Sequence, residues 1–285
     1  MKWQGRRSSR NIERRGRGGQ VAKGGIGGIG AVLVLLVGWY FGVDVSPLLN
    51  GGASGQGASQ QIDRSAIDGD DPDMEQFVAA VLGLTEDVWT QTFDQQVGDT
   101  YNPPVLVLFE DVTQSACGMA SAATGPFYCP AENRIFLDTA FFRVLSQRLG
   151  AGGDFAQAYV IAHEVAHHIQ NELGILGQVN RMRAQMNQTD SNALSVRTEL
   201  QADCFAGIWA RGAESAFGVL ERGDLNEALN AAAAIGDDRL QGRAGGVVRP
   251  ETFSHGTSEQ RQRWLARGFD SGRMTDCDTF SASQL

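Results

Sequence analysis

The chain has 285 residues, room for one good-sized domain with additional segments, and a formal net charge of −9. That charge is divided: eight Lys or Arg against one Glu up to Lys23 give +7, leaving −16 for the remainder. The acidic remainder is excluded from holding nucleic acid or an anionic surface by its charge, whereas the basic N-terminal stretch is not.

In chain order, residues 1–23 read as a basic cytoplasmic tail. Its twin arginine lacks the apolar residues expected just after it, so the tail is taken as an orientation signal beside an anchor. Residues 24–43 hold no charge between Lys23 and Asp44. As a helix rising about 1.5 Å per residue, this segment matches a bilayer's hydrocarbon core of about 30 Å. It reads as one uncleaved transmembrane anchor, since no small-x-small cleavage pattern follows closely. The positive-inside rule then leaves the N-terminus in the cytoplasm and sends everything after Asp44 outside. Residues 44–70, with NGGASGQGASQQ at 50–61, form a flexible linker, and the folded domain covers 71–285.

Within that domain, apolar periodicity predicts a helix over 73–84 and a second over 85–97 opened by a Thr85 cap. Short apolar runs at 105–109 and 134–137 predict buried strands, and the turn-rich 117–129 region lies between them. Asp154, with Gln157 three residues on, predicts a capping box for the next helix, and Gly174 ends it. Residues 191–197 lead into a helix running to about Arg211. Small-residue helices follow at 213–220 and 225–235, the latter capped by Asp224. A loop at 242–250 precedes a final helix capped by Thr257 or Ser258.

The stretch YVIAHEVAHHIQ, 159–170, places His163 and His167 four residues apart on one helical face, separated by about 40°. Both rings can reach a single metal ion. Two imidazoles and one further protein ligand leave a tetrahedral zinc with a position open to water, whose pKa the metal lowers to roughly 7. Glu164 is then the general base. Downstream, TELQADCFAGIWA offers Glu199 as third ligand, and Asp203, again four residues on, as acceptor for the outer nitrogen of a ligand histidine. His168 lies about 100° around the helix from His167 and is expected at the surface or behind the ligands. Cys204 points about 140° away from Glu199 and is not expected to coordinate.

HEVAHHIQ, ELQADCFAGIWA, FSHGTSEQR and the opening MKWQGRRSSRNIERRG together resemble the bacterial membrane-anchored neutral zinc metallopeptidases, over nearly the whole chain. The resemblance implies one zinc ion per chain, a peptide or protein substrate and a bacterial inner or plasma membrane location. FSHGTSEQR matches a block of the family, and a zinc peptidase needs a donor for the oxyanion of its tetrahedral intermediate. His255 is the candidate, with Arg261 sharing or orienting it. By analogy with related zinc peptidases, a strand within 128–138 would pair with an extended substrate. Four cysteines in an exported domain point to disulfides; three connectivities are possible, and we expect Cys117 with Cys129 and Cys204 with Cys277.

The expected architecture is α+β: a mainly helical zincin-like domain with a small sheet, after one N-terminal transmembrane helix. The expected activity is peptide hydrolysis by metal-activated water, without nucleic acid. A non-catalytic zinc-stabilised surface protein and a zinc hydrolase of cell-wall peptides are the alternatives.

Overall fold

The apolar runs at Val105–Phe109 and Arg134–Asp138 lie side by side and in parallel, at the centre of a four-stranded sheet. The computed structural model describes residues 1–15, 72–121, 124–243, 245 and 247–285. The expected span at 24–43 and linker at 44–70 lie outside these residues. Among the described residues no helix is long and apolar enough to cross a membrane.

The strands are β1 (Ile12–Arg15), β2 (Val105–Phe109), β3 (Val112–Ser115), β4 (Gly118–Ser121), β5 (Phe127–Cys129) and β6 (Arg134–Asp138). The main sheet has the order β1-β2-β6-β5, with β5 antiparallel at one edge and β1 parallel at the other. Leu106, Leu108, Ile135 and Leu137 face the helical core, while Val107, Phe109 and Phe136 pack with Ala120 and Cys129 on the opposite face. Both faces are covered, so the central strands are apolar at successive positions instead of alternating. The cover on the outer face is the β3–β4 hairpin, joined to β5 by the Cys117–Cys129 disulfide. Sequence periodicity gives no strand here, because neither hairpin strand carries an apolar run.

The helices are α1 (Pro72–Thr92), α2 (Ala140–Arg143), α3 (Asp154–Glu172), α4 (Ile175–Arg183), α5 (Gln188–Phe217), α6 (Asp224–Ala234), α7 (Asp237–Arg243) and α8 (Ser258–Ser271). The architecture is mainly helical with a small sheet. Thr85 does not open a second helix: its buried hydroxyl donates to the Leu82 carbonyl inside α1, the helix-interior option for threonine. Residues 191–197 are part of α5, capped further back by Asn187, whose side chain accepts from the Asp190 N–H. The expected loop at 242–250 begins later than predicted, after α7. Thr257 caps α8 in a capping box with Gln260.

Helix α5 packs against α3 and α8, and its contact with α8 is backbone to backbone. A Cβ on Gly268 would lie 1.8 Å from the Cys204 carbonyl oxygen, and one on Gly207 would lie 2.1 Å from that of Leu265. The Cys204–Cys277 disulfide fastens the C-terminal segment at this contact.

The described part of the basic N-terminal stretch, residues 1–15, packs on the body. Met1 is buried, and its α-amine lies 2.7 Å from Asp154, 3.2 Å from Glu221 and 3.4 Å from Asp224. Asp154 is therefore occupied at the first turn of α3 and makes no capping box; Gly153 is the cap residue there, without a side-chain bond.

Candidate metal centre

Helix α3 is apolar on nearly every side, and His163 and Glu164 are buried within it. Helix α5 lies across it and brings Glu199 to the two histidines. The Glu199 carboxylate has Oε2 3.1 Å from His163 Nε2 and Oε1 3.4 Å from His167 Nε2. One ligand atom from each of the three residues lies within 4.8 Å of the others.

Each imidazole is held from behind through Nδ1. His163 Nδ1 is 2.9 Å from Asp203 Oδ1, and His167 Nδ1 is 2.8 Å from Gln170 Oε1. With Nδ1–H donated outward, each Nε2 lone pair faces Glu199, the tautomer a metal ligand requires. Gln170 is itself fixed, donating to the Thr198 carbonyl at 2.7 Å and to Gln201 Oε1 at 3.0 Å. Asp203 also accepts from the Tyr159 hydroxyl at 2.5 Å and from Arg261, at 2.9 Å from Nε and 3.0 Å from a terminal nitrogen. Arg261 therefore supports Asp203, and bonds Tyr159 at 3.2 Å, instead of orienting His255.

The electrostatics follow from this crowding. Burial alone depresses the His163 pKa, but Asp203 and Glu199 overcome it and push it up to about 10. Burial likewise depresses His167, and Glu199 raises it above its ordinary value. For Glu199 burial favours the neutral acid, yet His167 and His163 hold it well below the usual carboxylate range. The same opposition applies to Asp203, lowered by Arg261 and His163. Two imidazoles with their outer bonds satisfied, facing one carboxylate, form a donor set suited to zinc, and a bound cation would displace their protons.

Glu164 stands apart from the three converging ligand atoms. Burial raises its pKa. His168 is buried, not at the surface: Nδ1 is 3.1 Å from the Tyr128 hydroxyl and Nε2 2.6 Å from the Asn102 carbonyl oxygen. Burial lowers its pKa.

His255 lies at the rim with about half its side chain exposed and Nδ1 3.2 Å from Asp237 Oδ1. The other Asp237 oxygen accepts the N–H groups of Ser254, His255 and Gly256 at 2.7, 2.7 and 3.1 Å, fixing the loop that carries the ring. His255 acts electrostatically on Glu199, and Asp237 raises the His255 pKa against the effect of burial. Asp237, Gln170 and Tyr159 were not singled out in the sequence. Tyr159 is four residues before His163 and Gln170 three after His167, so helical spacing held a signal for both. For Asp237, eighteen residues from His255, no local pattern existed.

The cysteine pairs expected from sequence are both formed, Cys117–Cys129 and Cys204–Cys277, leaving no free cysteine. Comparison with known proteins gives relatives across the full length. The chain is 47% identical over 292 residues to "Uncharacterized protein YpfJ" of Escherichia coli strain K12, covering 99% of this chain and 100% of that protein. It is 46% identical over 195 residues to "Uncharacterized protein Rv2575" of Mycobacterium tuberculosis strain H37Rv, covering 65% of each. No solved structure matches the chain. The family model described as "Putative neutral zinc metallopeptidase" matches residues 1–280, and the chain belongs to that family.

Proposed function

We propose that the protein is a zinc-dependent peptidase, with one zinc ion held by His163, His167 and Glu199. The observation that carries this is the pair of outward Nδ1 bonds, to Asp203 and to Gln170, which turn both Nε2 atoms toward one carboxylate. When bound, zinc supplies Lewis-acid chemistry, polarising a carbonyl and making water acidic enough to be deprotonated near neutral pH. Glu164 is the proton carrier. Its raised pKa suits a group that accepts a proton from water and passes it to the leaving amine. His255, steadied by Asp237, offers a ring N–H at the rim for the oxyanion.

Substrate positioning belongs to β5. It is the edge strand of the sheet, and it lies against α3, the helix that carries Glu164. An extended peptide laid along that edge would have its backbone paired beside the general base, with little demand on side chains. Membrane association of the uncharged segment 24–43 is part of the same proposal and rests on sequence; it does not require a single crossing. The paired cysteines favour an oxidising compartment for the body.

Glu164→Gln tests the mechanism. It should retain zinc and lower turnover of a peptide library by about 10²- to 10⁴-fold, the range for general acid–base groups. Equal turnover with zinc retained would overturn the role of Glu164, while a wild-type protein that cleaves no peptide would favour the binding-protein alternative.

A further inference from the structure

A single crossing by residues 24–43 would put residues 1–15 and the body on opposite faces of a membrane, yet the structure builds them into one sheet. β1 pairs with β2 in parallel over four residues, from Ile12 with Leu106 to Arg15 with Phe109. Further back, the Lys2 N–H donates to the Val219 carbonyl at 2.8 Å and the Ser9 N–H to that of Ala79 at 2.9 Å. Trp3 packs edge-on against Phe77 with ring centroids 5.5 Å apart.

The charges complement as well. Arg7 pairs with Glu86 and Asp87, each at 2.8 Å, Arg14 pairs with Glu75, and Arg6 donates to the Phe217 carbonyl at 2.5 Å. The basic stretch that reads as an orientation signal is thus a counter-charge to the acidic body. The Arg14–Glu75 pair also places the departure point of the chain, after Arg15, next to its return at α1.

The body is shaped for this segment at Gly83. A glycine inside a helix is less favourable than alanine. Here a Cβ would lie 2.4 Å from the Arg7 carbonyl oxygen and 3.2 Å from the Ser9 nitrogen, and the three atoms nearest to it all belong to the N-terminal segment. The missing side chain has a purpose only if residues 7–9 cross that helix.

We infer that residues 1–15 and 72–285 occupy one compartment, so that the intervening chain makes no single crossing between them. The inference is independent of peptidase activity. Two measurements on the full chain test it. Arg10→Cys and Asp99→Cys, both at exposed positions, are treated separately in intact cells with a membrane-impermeant maleimide, before and after lysis. The expected result is the same labelling pattern for both. Reaction of one before lysis and of the other only after lysis overturns the inference. The second measurement is the sign of the change in Tm for Gly83→Ala. A docked segment makes the added methyl collide with backbone and lowers Tm; a rise in Tm, from better helix propensity with nothing to collide with, overturns the inference.

Discussion

Asp203 and Gln170 perform the same service for two histidines, yet their loss should differ in kind. Asp203 faces Arg261, which is 1% exposed, so Asp203→Ala strands a buried guanidinium. Breaking such a pair from one side costs about 3–5 kcal/mol, and a denaturant titration should show a loss of that order. Gln170→Ala strands no charge. It should weaken zinc binding by about 10- to 100-fold in a competition titration, with a smaller stability change. His255 carries a pH signature. Its pKa is raised, so the stabilisation from its pair with Asp237 is fully present below about 6.5 and lost as pH rises through the folded value. If His255 donates in its protonated form, the alkaline limb of kcat/KM follows the same ionisation, and Asp237→Asn should move that limb to lower pH. An unmoved limb would assign it to another group. At this scale, the three converging side chains His163, His167 and Glu199 were legible as candidate ligands because they sit within two short motifs of helical spacing. Arg261 was legible as a site residue but not in its contact, since nothing local in FSHGTSEQR says that Arg261 turns inward while His255 stays at the rim.

Among the elements, α5 and α8 set the tightest tolerance. A Cβ on Gly268 would lie 1.8, 2.7 and 3.1 Å from the carbonyl oxygen, carbonyl carbon and Cα of Cys204, and the nearest of these is a backbone oxygen that cannot swing aside. Gly268→Ala must therefore separate two helices that the Cys204–Cys277 bond also holds together. Overpacking of this type costs typically about 1–3 kcal/mol, and here the blocked atom is backbone, so the upper part of that range is expected in thermal melts. Gly242→Ala, with nothing within 4 Å of the added carbon, is the control and should change stability little. The long helices were visible through apolar periodicity, although their joins were not. Thr85 has the residue type of a cap, and only the Leu82 carbonyl above it shows that the helix continues. β1, β3, β4 and β5 escaped because short strands of mixed polarity acquire their identity from a partner that periodicity does not reveal.

For the molecule as a whole, the division of charge is plain in the sequence, whereas the ion pairs that join its two parts are not. A basic stretch followed by an apolar run fits an orientation signal by every local criterion, whereas the partners that absorb it, Glu75, Glu86, Asp87 and Asp154, are spread over 80 positions of the body. The Met1 α-amine gives a pH test of that docking. Burial disfavours its charge, but Asp154, Glu221 and Asp224 more than compensate, and its pKa lies above the ordinary value of 8.0. A group raised on folding contributes stability that is fully present below the unfolded pKa and is lost as pH rises through the folded one. Acetylating the amine removes both the charge and two of its bonding hydrogens while leaving β1 able to pair. The free-amine chain should accordingly have the higher Tm at pH 7, and the gap should close as pH rises beyond about 8. A gap that is constant across this range would trace to the bulk of the acetyl group, and no gap at any pH would mean that the amine does not engage the three carboxylates in solution.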